Sequence, residues 1–148
     1  MDRLTYTRIV SEDDVDIITL SRIFQIPSVS QFISISDVYF HYVTNTENVY
    51  FYKIYENKRL VGTIHLEKYD DLLSMSILIF PEYQRMGLAS EVIKDVQNDI
   101  FGLNYKKIEI SIDERNIASR KLFKNTGFSF VSKEDELMIF VYEKTKGR

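Results

Sequence analysis

The chain has 148 residues and a formal net charge of −3, with 45% hydrophobic and 28% charged residues. These values are typical of one soluble globular domain, and the net negative charge argues against nucleic acid as a general partner. The absence of cysteine excludes disulfides, thiolate zinc sites and a cysteine nucleophile. The two histidines, His41 and His65, lie far apart in apolar stretches. Structural roles are the commoner ones for such residues, so we expect no bound metal.

Membrane and export signals are also missing from the sequence. No apolar stretch approaches the ~20 residues that a membrane-spanning helix requires, so we expect no membrane association. Residues 1–5 lack the hydrophobic segment of a signal peptide. We therefore expect a cytoplasmic protein.

The first third of the chain predicts a strand followed by two helices. Residues 4–10 alternate as a strand does. The segment Ser11–Asp14 resembles a capping box that opens a helix ending at Pro27, and a second capping box at Ser28–Gln31 opens another helix that ends at 44–46. Each helix has an apolar stripe, formed by Ile17, Leu20 and Phe24 in the first and by Phe32, Ile35, Tyr39 and Val43 in the second.

The middle of the chain predicts strands at 49–55, 60–67 and 72–80, the first two joined as a hairpin. Within the third strand the residues facing one way are Leu73, Met75, Ile77 and Ile79, and those facing the other way are Ser74 and Ser76. A long helix follows, with the stripe Leu88, Val92, Ile93, Val96 and Ile100. We expect this helix to end near Gly102, a plausible C-cap.

The last third predicts a strand, a helix and a final hairpin. In the strand at 107–112, one side carries Ile108, Ile110 and Ile112, and the other carries Glu109, Ser111 and Asp113. A helix then runs from Asn116 to Gly127, and strands at 128–131 and 137–142 flank a charged turn. The order β-α-α-β-β-β-α-β-α-β-β indicates an α/β fold, a mixed sheet with helices on both faces.

Residues 77–90 connect an apolar strand to a helix through a loop that contains Pro81 and Gly87. A helix start presents free backbone N–H groups and the positive end of the helix dipole, which suits a phosphate. Gly87 and Ala89 are small enough for a ligand to approach the backbone. The loop is neither a P-loop nor a dinucleotide fingerprint. By shape alone it fits an ordinary turn as well as a binding site.

The amino-acid sequence of this loop is more specific than its predicted shape. Gln84–Ala89 resembles the Gln/Arg-x-x-Gly-x-Gly/Ala signature of the GNAT superfamily of N-acetyltransferases, and Asn116–Phe128 lies where that family places a second motif. The resemblance is clear in the sequence from about Leu72 to Phe128. Before Leu72 it extends only to the order of the predicted strands and helices. It implies a single GNAT-like domain over residues 1–148, built on a mostly antiparallel twisted sheet.

The resemblance also implies a site for acetyl-CoA or coenzyme A. Backbone groups of the first strand would pair with the pantetheine arm, and here these residues are Ile77, Leu78 and Ile79. The pyrophosphate would bind the loop and the first turn of the helix, formed by Gln84, Arg85, Met86, Gly87, Leu88, Ala89 and Ser90.

The second motif places several polar residues on one helix face. The residues at i, i+3, i+4 and i+7 are Asn116, Ser119, Arg120 and Phe123. Ala118 and Leu122 form a separate face that suits the core. An asparagine at a helix start is usually a cap. In related enzymes, however, the residue at the position of Asn116 bonds the pantetheine arm, so the resemblance implies cofactor contacts for Asn116, Ser119 and Phe123.

The candidate catalytic residues are Glu109 and Ser111. Many GNAT enzymes have a tyrosine at the position of Phe123 that protonates the coenzyme A thiolate, which phenylalanine cannot do. Some branches place a glutamate base on the preceding strand, and by distance from Asn116 that position is Ser111. Glu109 lies two residues earlier on the same face and acts, in this hypothesis, through a water. The alternative is that Glu109 is a surface residue.

The acceptor pocket of this family is built by the first two helices and the final hairpin. Aromatic surface comes from four tyrosines that line either this pocket or the core, Tyr39, Tyr42, Tyr50 and Tyr52. Negative charge comes from Glu67, Asp70 and Asp71. A cationic amine is compatible with both.

The basic residues Arg115, Arg120, Lys121 and Lys124 either form a solvated face or meet the cofactor's phosphates. The final hairpin and exposed edge strands are compatible with a homodimer.

Three functional hypotheses follow, in order of preference. The first is an acetyl-CoA-dependent N-acetyltransferase that acts on a primary amine of a small molecule or protein by direct transfer in a ternary complex. The second is a non-catalytic acyl-CoA-binding sensor or regulatory module, which Phe123 and the missing glutamate favour. The third is a structural or interaction domain whose glycine loop is only a turn.

Overall fold

A computed structural model of the protein describes residues 3–144. In this range a seven-stranded sheet has the order β1-β2-β3-β4-β5-β7-β6. Its strands are β1 (Leu4–Arg8), β2 (Val49–Glu56), β3 (Arg59–Tyr69), β4 (Leu72–Ile79), β5 (Lys107–Asp113), β6 (Ser129–Glu134) and β7 (Leu137–Glu143). Neighbouring strands pair antiparallel, except that β4 and β5 are parallel. The expected mixed, mostly antiparallel sheet is confirmed.

Helices cover both faces of this sheet, as expected. They are α1 (Ile17–Phe24), α2 (Pro27–Ser30), α3 (Tyr39–Asn45), α4 (Leu88–Gln97) and α5 (Ile117–Asn125). Side chains of α1, α2 and α3 pack with Phe51 and Leu78 in one core. Side chains of α4 and α5 pack with Ile64, Leu73 and Ile108 in the other core. Both cores exist because apolar side chains alternate between the two sides of each strand.

The segment predicted as one helix after Ser28 contains two short helices, so that prediction is wrong. Helix α2 begins at Pro27, with Ile26 as its N-cap, and α3 begins only at Tyr39. Between them the sequence at 33–38 alternates isoleucine with serine and ends in Asp-Val. β-Branched residues and side chains that compete for backbone hydrogen bonds both disfavour a continuous helix there.

The capping box predicted at Ser11–Asp14 is also wrong. Helix α1 begins later, with Asp16 as its N-cap and no side-chain cap bond. The hydroxyl of Ser11 instead accepts a 3.0 Å bond from the backbone N–H of Asp13 within a turn.

Helix α4 ends at Gln97, with Asn98 as its C-cap, and not near Gly102 as predicted. The carboxylate of Asp99 accepts bonds from the backbone N–H groups of Leu103 and Asn104 at 2.8 and 3.0 Å. These bonds hold the chain in a turn, and the helical stripe stops before Ile100, which is 53% exposed.

Neither a membrane span nor a metal cluster is found in the described range. None of the helices between residues 3 and 144 has the length and apolar character needed to cross a bilayer. The same residues contain no group of three or more histidine, aspartate or glutamate side chains arranged to hold a metal ion.

Candidate functional site

Strands β4 and β5 separate soon after they meet. They pair only at Leu72–Ser74 with Lys107–Glu109, although β4 continues to Ile79 and β5 to Asp113. We call the gap between residues 75–79 and 110–113 the β4–β5 cleft. Within the described residues, the β5-facing backbone of the stretch Ile77, Leu78 and Ile79 therefore has no strand partner. The carbonyl of Ile79 is occupied by a side-chain bond from Gln84. Backbone N–H and C=O groups need partners, so this edge suits an extended ligand that carries amide groups.

The loop after β4 presents a row of free backbone N–H groups. A short 3₁₀ turn leads into Arg85 and Gly87, which both have left-handed φ values of 65° and 80°. Gly87 is the N-cap of α4, and no side chain caps this helix. Between residues 3 and 144, the backbone N–H groups of residues 85–90 have no hydrogen-bond acceptor. We call these six groups the N–H cradle.

Two physical effects make the cradle suitable for an anion. Left-handed residues alternating along a loop turn successive N–H groups toward one side, and the start of a helix adds the positive end of its dipole. The space at Gly87 is open, since a Cβ added there would meet nothing within 4 Å.

Side chains around the cradle fix its shape. The amide Nε2 of Gln84 donates a 2.9 Å bond to the carbonyl of Ile79. The guanidinium of Arg3 donates a 3.3 Å bond to the carbonyl of Met86 and also contacts Glu91 at 3.4 Å. Gln84 therefore ties the loop to the end of β4, a role that the sequence did not predict.

The remaining loop residues divide by exposure. The side chains of Arg85 and Met86 are exposed, Leu88 is buried in the core, and Ala89 and Ser90 are half-buried at the helix start. Arg85 is thus an exposed cationic side chain of the loop, next to the cradle.

Asn116 caps helix α5 and still has a free donor. Its Oδ1 accepts a 3.2 Å bond from the backbone N–H of Ser119. No partner among residues 3–144 accepts a bond from its Nδ2. The ordinary capping role is therefore present, and the other half of the carboxamide is available to a ligand. Ser119 is half-buried on the same helix.

Phe123 lies in the core and not on the surface. Its side chain is 8% exposed, and its ring meets that of Phe128 edge to face, with centroids 5.1 Å apart. The predicted core face of Ala118 and Leu122 holds for Leu122, which is half-buried and packs against the core, and is wrong for Ala118, which is exposed. Helix α5 turns Phe123 toward the sheet, which leaves this ring little surface for a ligand.

The basic residues of α5 lie beside the final hairpin. Arg120, Lys121 and Lys124 border a shallow groove against Phe130 and other apolar residues of β6 and β7. Arg120 also donates a 3.0 Å bond to the carbonyl of Glu114. This arrangement fits the solvated-face interpretation of the cluster.

The two candidate catalytic residues lie on β5. The side chains of Glu109 and Ser111 alternate with those of Ile108, Ile110 and Ile112, as predicted, and point away from the core that contains these isoleucines. Glu109 is half-buried and adjacent to Ser74 in the strand register. Ser111 is exposed.

A cavity of about 200 Å³ lies between the sheet and the first helices. We call it the β3–β4 cavity. Its apolar lining is Phe24, Ile33, Ile35, Phe51 and Leu78, and its polar lining is Ser34, Tyr39, Thr63, His65 and Ser76. Ser76 and Leu78 belong to the same stretch of β4 whose backbone borders the β4–β5 cleft. The cavity and the cleft therefore share one strand.

Three polar side chains form a hydrogen-bonded chain at this cavity. The hydroxyl of Tyr39 lies 2.6 Å from Nδ1 of His65, and Nε2 of His65 lies 2.6 Å from the carboxylate of Glu67. Tyr69 donates a further hydroxyl bond to Glu67. The hydrogen-bonding potential of both ring nitrogens is therefore satisfied.

The charge state of Glu67 fixes the direction of these bonds. Burial by itself would raise the pKa of Glu67, but hydrogen bonds from Tyr69, His65 and Tyr42 outweigh it and lower the pKa. Burial raises the pKa of Tyr39, and the negative charge of Glu67 raises it further. An ionised Glu67 can only accept a hydrogen bond, so Nε2–H of His65 donates to it, and Nδ1 accepts the hydrogen bond of the Tyr39 hydroxyl.

Sequence reasoning left Tyr39 as either a pocket or a core residue, gave Glu67 as a source of negative charge, and gave His65 only a structural role. One signal was present, since His65 and Glu67 are two residues apart on a strand and therefore share a face. The position of Tyr39 depends on how α3 packs on the sheet, which no local pattern shows.

Comparison with known proteins agrees with this architecture. Residues 19–128 match the model of the acetyltransferase (GNAT) family. None of the curated proteins matches the sequence. Among solved structures, a domain from Methanocaldococcus jannaschii is 23% identical, covers 95% of this chain and 97% of its own, and has a TM-score of 0.80.

Two enzymes with different acceptors have the same fold. The spermidine N-acetyltransferase from Vibrio cholerae, in complex with CoA and spermine, is 14% identical, with 97% of each chain covered and a TM-score of 0.80. An aminoglycoside N(6')acetyltransferase from Legionella pneumophila is 12% identical, with 97% of this chain and 94% of its own covered and a TM-score of 0.80. These likenesses show the fold, and the family match spans most of the sequence. The chain belongs to the acetyltransferase (GNAT) family.

Proposed function

We propose that the protein transfers the acetyl group of acetyl-CoA to a primary amine of a small molecule or protein by direct attack in a ternary complex. The observation that carries this proposal is the continuity of the β4–β5 cleft with the N–H cradle. A strand edge without a partner runs into six free N–H groups. This order matches a ligand that has an amide-containing arm followed by a pyrophosphate.

The cofactor contacts come mainly from backbone. The edge of Ile77–Ile79 pairs with the amides of the pantetheine arm, and the cradle holds the pyrophosphate. The free Nδ2 of Asn116 donates to the arm from the opposite wall of the cleft. Because these groups belong to the fold itself, they are positioned before the ligand binds and lose little freedom on binding.

The acceptor amine occupies the β3–β4 cavity, next to the same strand. The amine nitrogen attacks the thioester carbonyl carbon, and the carbon–sulfur bond breaks. Thiols have a pKa of about 8.5, so a thiolate leaves readily near neutral pH. A dedicated acid at the position of Phe123 is therefore not required.

The choice of acceptor is guided by the cavity and by the structural relatives. Those relatives include enzymes named for spermidine and for aminoglycosides. The cavity of about 200 Å³ is smaller than the roughly 300–1,000 Å³ of sites that enclose drug-sized ligands. It encloses a compact amine, or the amino end of a longer one.

A non-catalytic acyl-CoA-binding module is the second candidate. It is favoured by the identity of residue 123, because phenylalanine has no hydroxyl to act as a general acid at that position. Such a module binds the cofactor and releases no thiol with any amine.

Free thiol release distinguishes the two candidates. Purified protein is mixed with acetyl-CoA and, in separate reactions, with n-butylamine, spermidine and an aminoglycoside. Thiol release together with the acetylated amine, detected by mass spectrometry, supports the enzyme. Cofactor binding without amine-dependent thiol release across the panel contradicts it and favours the binding module.

A further inference from the structure

The Tyr39–His65–Glu67 chain extends from the β3–β4 cavity to the protein surface. Tyr39 and His65 line the cavity, and the side chain of Glu67 is 16% exposed. Tyr69, which donates to Glu67, is exposed. A proton that enters at Tyr39 therefore has a hydrogen-bonded path to solvent.

The geometry of Tyr39 is fixed by aromatic neighbours. Its ring lies 5.7 Å from that of Phe51 and 5.8 Å from that of Phe24. These contacts hold the hydroxyl against Nδ1 of His65. A rigid hydroxyl in a cavity is a defined proton acceptor, because it need not reorganise when the proton moves.

Acetyl transfer to an amine requires such an acceptor. A free alkylammonium has a pKa near 10, so at neutral pH it carries a proton and has no lone pair for attack. A group within hydrogen-bond reach must take that proton before the nitrogen–carbon bond forms.

We propose that Tyr39, His65 and Glu67 act as a relay that removes this proton, an inference that rests on the proposed acetyltransferase function. The ammonium gives its proton to Oη of Tyr39 as the Tyr39 hydroxyl proton passes to Nδ1 of His65. The products are a neutral amine, a neutral tyrosine and an imidazolium paired with Glu67. After attack, the nitrogen loses a second proton. This proton joins the departing thiolate to give the free thiol of coenzyme A.

The surroundings of His65 support this assignment. The groups that face it are Tyr39 and Tyr42 from α3, Phe51 from β2, Glu67 from β3 and Ser76 from β4. Glu67 is the charged group among them, and its carboxylate stabilises the imidazolium. Glu109 is the rival base, because it lies on the same sheet face one strand beyond Ser74.

The lining of the cavity defines the acceptor class. Phe24, Ile33 and Ile35 alternate there with hydroxyl groups such as that of Ser34, so the acceptor has a short body and its amino group lies at Tyr39. A compact alkylamine fits this description. We use n-butylamine as the probe.

The test measures kcat/KM for n-butylamine against pH, with acetyl-CoA saturating. We expect His65→Gln and Tyr39→Phe each to lower kcat/KM by about 10²-fold or more at neutral pH. The deficit should shrink as the pH approaches the amine's own pKa near 10, where the amine loses its proton without a protein base. Coenzyme A affinity, measured by calorimetry, stays at the wild-type value in both variants. That result shows that the variants are folded and that the loss lies in the chemical step.

His41→Gln is the matched control. His41 lies on the exposed side of α3. Like His65 it contacts a glutamate, with Nδ1 2.9 Å from Glu12, but its side chain is 62% exposed. We expect His41→Gln to keep both the rate and the pH profile. Glu109→Gln tests the rival base and is expected to show no such deficit at neutral pH.

Each other outcome identifies which proposal fails. A wild-type protein that does not bind coenzyme A overturns the proposed function itself. Binding without turnover of n-butylamine overturns the relay and its acceptor class. A wild-type rate and pH profile in His65→Gln, or a deficit at neutral pH in Glu109→Gln that shrinks at high pH, assigns proton removal to another group.

Discussion

His65 of β3 lies directly opposite Ser76 of β4 in the antiparallel register. Both side chains line the β3–β4 cavity. The backbone of the next residues of β4 borders the β4–β5 cleft. One strand therefore presents side chains to the cavity and backbone groups to the cleft, so two ligands bound there would meet at β4.

Gly87 offers the most direct check on the cradle. We expect Gly87→Glu to abolish coenzyme A binding, because it adds a negative charge beside the N–H groups proposed to hold phosphate. Gly102→Glu is the matched control, since Gly102 also has positive φ and open space for a Cβ. Both variants carry a similar backbone strain of about 1–2 kcal/mol. Calorimetry should show binding by Gly102→Glu alone, and equal affinity in the two variants would refute the position of the phosphate site.

Asn116 has two separable roles. Asn116→Ala removes both the cap and the free donor, so we expect a loss of about 1 kcal/mol in the free energy of unfolding and weaker coenzyme A binding. Asn116→Ser keeps a good capping residue but is too short to replace the donor. Urea denaturation should therefore give near-wild-type stability for Asn116→Ser, while calorimetry gives reduced affinity. Full affinity in Asn116→Ser would show that the residue is only a cap.

The variant Phe123→Tyr tests whether a tyrosine hydroxyl at this position, as in many GNAT enzymes, can speed thiol release. Phe123→Tyr places a hydroxyl in the core, where an unbonded polar group costs about 1–3 kcal/mol. We expect a lower melting temperature and no faster thiol release. The control is Phe130→Tyr, because the ring of Phe130 is 51% exposed and its new hydroxyl reaches water. A higher rate in Phe123→Tyr would mean that the ring position reaches the cofactor sulfur.

Asp113 makes stability depend on pH at the end of β5. Hydrogen bonds from the side chain and backbone of Arg115 lower the pKa of Asp113 from 3.8 to about 2. A carboxyl whose pKa is lower in the folded state stabilises that state above its ordinary pKa and ceases to do so as pH falls. Asp113→Asn should thus be less stable than wild type at pH 7, and the difference should close between pH 3.8 and 2.

The comparison variant for this experiment is Asp135→Asn in the final hairpin turn. Asp135 has a left-handed φ of 54°, which asparagine also accepts. Urea denaturation across the pH series should give a constant, small difference for Asp135→Asn. A constant difference for Asp113→Asn as well would show that the ion pair contributes nothing.

The strands and the glycine loop followed from sequence because local chemistry specifies them. Alternation along 107–112 fixed which side chains share a face, and Gly87 has the positive φ that the turn into α4 requires. The break at 33–38 was missed because an apolar stripe at helical spacing hid the alternation of isoleucine and serine. Local patterns do not show when tertiary packing overrides helix propensity.

The Tyr39–His65–Glu67 chain was missed for a different reason. The pairing of His65 with Glu67 is visible in a strand pattern, but its partner Tyr39 comes from a helix 26 residues away. The burial of Phe123 likewise depends on how α5 is rotated against the sheet. Both are properties of packing between elements, which periodicity within one element does not determine.

The measurement that tests the central claim most directly is a calorimetric titration of the purified protein with acetyl-CoA and with free coenzyme A. The cleft and the cradle predict one site of micromolar affinity, equivalent to about −8 kcal/mol, for both ligands. No heat of binding at millimolar ligand would contradict the account, because the free N–H groups and the unpaired strand edge would then have no cofactor to bind.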